Sequence, residues 1–281
     1  MKPEIIEREV IHLSPHFEKM LISGWNEDIL KNTVTERIIY LSDGYKVKGY
    51  LSYPKSLTPD DRLPCVMWNR GGMKSNGSID SFTARGMFGL IASWGYTVFA
   101  SMYRGSVKGE GEDQFGGEDL NDITNLMQIA DEIPNTDTSR WGMEGWSRGG
   151  MMTYLTLMRV PAIKCAVLVG AISDPWAYIK TKPDIINYYN HKLPGRNLEE
   201  IMLDRSALHR FDELPADVKY LLIHGGGDDI ILPYQSIDLA RRFQERGVTY
   251  ALHIYEEADH FLRQSRKLAD ETKRLWYKKF L

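Results

Sequence analysis

Cysteine is almost missing from this chain of 281 residues, which has only two. Two thiols cannot build a disulfide framework. Cys65 lies in the run Leu63-Pro64-Cys65-Val66-Met67-Trp68 and Cys165 in Ile163-Lys164-Cys165-Ala166-Val167-Leu168-Val169, so both read as small hydrophobes in buried strands. No apolar run reaches membrane-spanning length, and the opening Met1-Lys2-Pro3-Glu4-Ile5-Ile6-Glu7-Arg8-Glu9 is too charged for a signal peptide. The expectation is a soluble, cytoplasmic protein with no membrane partner. An excess of one charge is also missing: 35 Lys and Arg face 38 Asp and Glu, net −3, which leaves no electrostatic footprint for nucleic acid. The basic group Lys273, Arg274, Lys278 and Lys279 near the C-terminus reads as a solvated helix face. There is no H-E-x-x-H or C-x-x-C, so neither a metal nor another cofactor is expected. Internal repeats, low-complexity tracts and linkers are absent as well.

What is present suits one large α/β domain. The 43% hydrophobic content permits a sizeable core. Residues 34–42 and 45–53 alternate as strands around Asp43-Gly44, a two-residue hairpin signal. Apolar strand-like runs then follow near 63–69, 96–102, 141–146, 163–170, 219–224 and 249–255. Helical runs near 82–94, 119–132, 148–159, 234–246 and 262–279 fall between and after them. Continuously apolar strands alternating with helices mean a mostly parallel central sheet with helices on both faces. Residues 173–216 break this rhythm with Pro175, Pro183, Pro194, Pro215 and many aromatics. They read as a small helical excursion over the C-terminal edge of the sheet, either walling a pocket or packing as a surface insertion.

The chemistry is concentrated in three places. Gly145-Trp146-Ser147-Arg148-Gly149 reads G-x-S-x-G between a strand-like and a helix-like run. Such a sharp turn lifts a serine hydroxyl clear of the backbone, beside the positive end of a helix. A serine hydroxyl needs a base to accept its proton, and in this architecture the acid and then the histidine follow the serine in the chain. Strand 219–224 runs into His224-Gly225-Gly226-Gly227-Asp228-Asp229, and the next strand into Glu256-Glu257-Ala258-Asp259-His260. The expected catalytic set is Ser147, Asp228 and His260. The glycine turn favours Asp228 over Asp229 as the acid, with Asp229 then capping the helix near Pro233 and His224 making a structural hydrogen bond. A tetrahedral intermediate also needs two backbone N–H donors. One is expected from Arg148, the residue after the nucleophile. The other is expected from Asn69-Arg70-Gly71-Gly72-Met73, with Gly72 the first choice and Gly71 or Met73 its neighbours.

Together these stretches resemble the catalytic α/β-hydrolase domain of the prolyl oligopeptidase family of serine peptidases. Tyr103-Arg104-Gly105-Ser106, then Gly109-Glu110-Gly111 and Phe115-Gly116-Gly117-Glu118-Asp119-Leu120-Asn121-Asp122, match a long motif of that family. Leu221-Leu222-Ile223-His224-Gly225 with Asp228-Asp229 and Pro233 matches its acid loop. Within the first motif, Arg104 reads as a structural cation for carbonyls or for an acid such as Glu118 or Asp119. The likeness runs over roughly residues 34–281 and leaves 1–33 as an N-terminal extension. It departs at the oxyanion loop, where Arg70-Gly71-Gly72-Met73 stands for the family's His-Gly-Gly-Pro, and at Arg148, where an aromatic or Asn is common. The extension is too short for even one blade of the β-propeller that many members carry. The resemblance implies that Ile172, Trp176 and Tyr178 line the specificity pocket, with Tyr188 and Tyr189 near them. The alternative is that these aromatics only pack the excursion onto the sheet.

The functional expectation is a serine hydrolase acting on short peptides or acylated amino-acid derivatives through an acyl-enzyme. Its rivals are a carboxylesterase acting on small esters, which needs the same three groups, and a non-catalytic binding protein of the same fold. The expected partner is the small peptide or ester substrate, with a homo-oligomer possible.

Overall fold

The computed structural model of the chain describes residues 2–73, 75–106 and 109–281. Its centre is one nine-stranded sheet in the order β1-β2-β3-β5-β4-β6-β7-β8-β9. The strands are β1 (Glu4–Val10), β2 (Thr33–Ser42), β3 (Tyr45–Pro54), β4 (Leu63–Asn69), β5 (Thr97–Ser101), β6 (Thr136–Trp146), β7 (Ile163–Val169), β8 (Lys219–Gly225) and β9 (Tyr250–Tyr255). The pairings of β1 with β2, β2 with β3 and β3 with β5 are antiparallel, and all the others are parallel. This is the α/β-hydrolase fold. The β2–β3 hairpin turns at Asp43 and Gly44, both at positive φ (51° and 87°), the geometry that makes Asp-Gly a strong hairpin signal.

The inner parallel strands β4, β5, β7 and β8 are buried on both sides because their residues feed two cores in alternation, whereas the edge strand β9 is half-buried to exposed. In β4, Cys65 and Met67 enter one cluster while Val66 and Trp68 enter the other. The first cluster is covered by α4 (Leu120–Ile129), α5 (Arg148–Leu157) and α9 (Tyr234–Arg246). The second is covered by α3 (Ser81–Ser93) and α10 (Arg266–Phe280). Both cysteines are fully buried, and burial pushes each thiol up to about 12. They behave as core hydrophobes. Among the described residues, no helix is long and apolar enough to cross a membrane.

Residues 2–33 carry more regular structure than the sequence suggests. β1 pairs antiparallel with β2 through an irregularity between Ile5 and Glu7, and forms one edge of the sheet. Its side chains are almost all exposed and largely charged, which is how natural edge strands avoid pairing with other chains. That same charge hides the strand from a search for apolar alternation. α1 (Pro15–Gly24) starts at an N-cap Ser14 followed by Pro15, and α2 (Glu27–Asn32) at Asn26, whose side chain accepts the Ile29 N–H at 3.1 Å. The excursion after β7 is helical: α6 (Pro175–Thr181), α7 (Ile185–Lys192), α8 (Leu198–Asp204) and a short 3₁₀ turn at Phe211–Glu213. Its buried residues, among them Ile185, Tyr189, Ile201 and Met202, extend the first core.

Two charged residues differ from the sequence expectation. Lys273 is not on a solvated face: its Nζ is buried, 3.0 Å from Glu144 Oε1 and 2.7 Å from Asp270 Oδ1. Burial works against its charge, but Asp270 and Glu144 outweigh it and raise its pKa. Arg104 pairs with neither Glu118 nor Asp119. It binds Asp122 and Asp43, each at 2.7 Å, and so ties the loop after β5 to the β2–β3 turn.

Candidate active site

Ser147 sits where β6 ends and α5 begins, with φ 56° and ψ −119°. A non-glycine residue in this region carries strain of about 1–3 kcal/mol, held here by its surroundings. Its N–H donates to the Val169 carbonyl at 2.9 Å, while its own carbonyl accepts from Gly150 at 3.0 Å and Ile172 at 3.2 Å. The outer glycines of the pentapeptide are dictated by space. A Cβ on Gly145 would lie 2.2 Å from the Gly149 carbonyl oxygen, and one on Gly149 would lie 2.0 Å from the Asn69 carbonyl oxygen.

Asp228 follows the glycine turn at the end of β8. Its Oδ2 accepts from His260 Nδ1 at 2.7 Å, and its Oδ1 accepts from the N–H groups of Ile230 and Ile231 at 2.9 Å each. His224 stands behind it, with Nε2 2.8 Å from the Ile231 carbonyl and 3.3 Å from Asp228 Oδ2, and Nδ1 2.7 Å from Ser236 Oγ. This agrees with the structural hydrogen bond expected of His224. Asp229 is exposed and caps nothing: the N-cap of α9 is Pro233, which offers no side-chain bond. Gly170 closes the other side, where a Cβ would come 3.3 Å from both Asp228 Oδ2 and His260 Nδ1.

Burial alone would raise the Asp228 carboxyl. Hydrogen bonds from His224 and His260, the attraction of His260 and the Ile231 N–H more than offset it and hold the group well below the usual carboxylate range. An unfolded aspartate titrates near about 3.9. The folded group therefore contributes stability above that pH and loses it as the pH falls through its lower folded value. Urea unfolding at about pH 6 and pH 3 should show the native chain losing more stability than Asp228→Asn over this interval. Equal losses would show that the carboxylate is not stabilised by its partners.

The glycine loop after β4 approaches the elbow closely. A Cβ on Gly71 would meet the Trp146 carbonyl at 3.0 Å and Ser147 Cβ at 3.3 Å. Gly72 has φ 72°, and a Cβ there would fall 2.1 Å from the Asn76 carbonyl oxygen. The sequence points to Arg148 for its backbone N–H, and its side chain has a second role that the sequence does not reveal. The guanidinium is buried, bonded to Asp113 at 2.8 and 2.6 Å, to Asp119 at 2.6 Å and to the Gly72 carbonyl at 3.0 Å. It also stacks on Tyr103 and Phe115, at 4.9 and 4.5 Å from their centroids. Burial disfavours its charge, yet Asp113 and Asp119 raise its pKa overall. Removing one member of such a buried cluster strands the others, at a cost of about 3–5 kcal/mol. Arg148→Ala should lower the urea unfolding free energy by that amount, whereas a loss below about 1 kcal/mol would contradict the buried pairing. Arg70, also unforeseen, braces the same loop through Nε to the Met102 carbonyl at 3.0 Å and Nη1 to the Gly71 carbonyl at 2.9 Å.

Ser147 and His260 share one cleft of about 600 Å³. Gly71, Gly72 and Met73 form part of its wall, and Trp68, Met87, Phe115, Trp146, Ile230 and Phe261 give it an apolar character. Of the three residues expected in a specificity pocket, Tyr178 lines this cleft and Ile172 and Trp176 do not. Ile172 is 1% exposed in the first core, and Trp176 packs on that core. Helix phase explains the difference. Within α6, Trp176 is two residues from Tyr178 and so points elsewhere, while Lys182, the residue that caps the helix C-terminus, joins Tyr178 at the cleft. None of residues 2–33 lines the cleft.

Beneath Trp146 lies a buried polar cluster. Glu144 Oε1 accepts from Trp68 Nε1 at 3.2 Å, Trp146 Nε1 at 3.0 Å and Lys273 Nζ at 3.0 Å, and Oε2 accepts from the Tyr277 hydroxyl at 3.2 Å. These bonds fix the two indoles that wall the cleft.

Comparison with known proteins agrees with this architecture. The model of the prolyl oligopeptidase family matches residues 82–280. The "Uncharacterized peptidase YtmA" of Bacillus subtilis (strain 168) is 29% identical over 227 residues, covering 80% of this chain and 85% of the relative. Dipeptidyl peptidase 8 of Mus musculus is 27% identical over 230 residues, covering 78% of this chain but only 25% of the relative. Among solved structures, a putative dipeptidyl aminopeptidase IV from Bacteroides ovatus superposes with TM-score 0.75 at 23% identity, over 89% of this chain and 36% of that one. The chain belongs to the prolyl oligopeptidase family.

Proposed function

We propose that this chain is a serine peptidase that cleaves short peptides or acylated amino-acid derivatives through Ser147, His260 and Asp228. The observation that carries the reading is the 2.7 Å bond between Asp228 and His260 Nδ1, in a cleft His260 shares with the strained Ser147. Asp228 fixes the tautomer with the proton on Nδ1, which leaves Nε2 to accept the Ser147 hydroxyl proton. Ser147 Oγ then attacks the acyl carbon, and the oxyanion is met by the N–H groups of Arg148 and Gly72. As the carbon–nitrogen bond breaks, His260 gives its proton to the leaving amine. Water, deprotonated by His260, next attacks the acyl-enzyme, and the proton returns to Ser147 as the acid is released. The peptidase names of its relatives support an amide rather than an ester as the natural bond.

Paired kinetics on an aminoacyl amide and its matching ester test this reading. Turnover of both, with a burst on the ester as the acyl-enzyme accumulates, is the expected result. Turnover of the ester alone would replace the peptidase by a carboxylesterase using the same groups.

A further inference from the structure

The wall of the cleft carries charge of only one sign. Among the described residues that line it there is no aspartate or glutamate, while Arg148, Lys182 and Arg266 are cationic. The acids immediately behind the wall are already engaged, while Asp80, whose Oδ1 accepts the Thr83 N–H, and Asp229 are exposed beside the lining residues and are not part of the lining. Asp228 is 3% exposed with both oxygens occupied, and Asp113 and Asp119 are buried on Arg148. Asp270 is shared between Arg266, at 3.4 Å, and Lys273. A substrate ammonium entering the cleft therefore meets no free carboxylate among the lining residues, and loses hydration without compensation.

Lys182 is the cation without such a partner. It is exposed, and no ion pair or side-chain hydrogen bond is formed to it among the described residues. Its backbone is nonetheless anchored. Its N–H closes α6 on the Tyr178 carbonyl at 2.9 Å, and the neighbouring Thr181 hydroxyl donates to the Ile230 carbonyl at 2.8 Å. Tyr178, Lys182 and Ile230 thus form one wall, an apolar surface with a single ammonium, facing the cleft that holds Ser147. Arg266, seated 4.9 Å over the Trp146 ring, adds the same sign along the rim.

We propose that this cleft selects acyl donors that carry a carboxylate close to the scissile bond, and discriminates against those with a free ammonium there, with Lys182 as the selecting residue. N-succinylated or N-glutarylated aminoacyl amides, and peptides with an acidic residue beside the cleaved bond, are the chemical class. The inference rests on the hydrolytic reading of Ser147 and adds the sign of the preferred substrate.

The test uses three substrates of the full chain that share one aminoacyl anilide and differ only in an N-succinyl, N-acetyl or free amino group. The order of kcat/KM should be succinyl, acetyl, free amine, with steps of about three- to fivefold, the size of an exposed charge pair. The steps should shrink at 1 M salt, where the Debye length is about 3 Å. Lys182→Glu, an exposed change compatible with folding, should invert the order of the succinyl and free-amine compounds. Turnover of all three at equal kcat/KM, or an order untouched by Lys182→Glu, overturns the inference while leaving the hydrolase intact. Absence of turnover on all three overturns the peptidase reading, and this inference with it.

Discussion

Replacing Ser147 with alanine should reduce kcat by up to about 10⁶, the loss measured for the nucleophile of a comparable triad. The argument is local and geometric. Only the Ser147 side chain stands at the turn between β6 and α5, with φ 56°, within a cleft that His260 also lines. The substitution removes one hydroxyl and leaves the backbone bonds to Val169, Gly150 and Ile172 in place. The folded state should survive, and the residual rate should come from the oxyanion donors and binding alone. Kinetics on a substrate shown to be turned over by the native chain, with far-ultraviolet dichroism to verify folding, measure this. Near-native turnover by a folded Ser147→Ala would remove the serine from the mechanism.

The second large effect separates two adjacent aspartates. Asp228→Asn should lower kcat by about 10⁴, because an amide can donate to His260 Nδ1 and hold the wrong tautomer. Asp229→Asn should leave kcat close to the native value, since that side chain is exposed and makes no bond to the histidine. The two variants differ by one position and carry the same change of charge, so the comparison isolates geometry from electrostatics. A larger loss at Asp229 would mean that the glycine turn directs the other carboxylate to His260.

The parts of the fold that were readable in the sequence share one property: their cause is local. The inner parallel strands β4, β5, β7 and β8 announce themselves because both faces are buried, and the β2–β3 hairpin because Asp43 and Gly44 both need positive φ. The elbow is visible because two glycines are forced by contacts within a few residues or with the adjoining β4 end. Asp228 and His260 are visible because each follows a strand, in chain order after Ser147, and the structure brings them to a 2.7 Å contact.

What stayed hidden depends on distant partners or on helix phase. Lys273 looks like a surface cation until Glu144, on β6, is found beside it. Arg104 and Arg148 take acids that chain proximity does not single out; the fold gives Asp122 and Asp43 to the first, and Asp113 and Asp119 to the second. Trp176 and Tyr178 are equally aromatic, and only the rotation of α6 decides that Tyr178 lines the cleft. β1 was missed because an edge strand protected by charge has no apolar alternation to read.

The central claim is that Ser147 is an activated nucleophile within this cleft. Labelling the native chain with an active-site-directed organophosphate and mapping the adduct by peptide mass spectrometry tests it most directly. The account predicts one adduct per chain, on Ser147, formed quickly in the native protein and far more slowly in Asp228→Asn. An unlabelled native chain, or an adduct on any other residue, would contradict it.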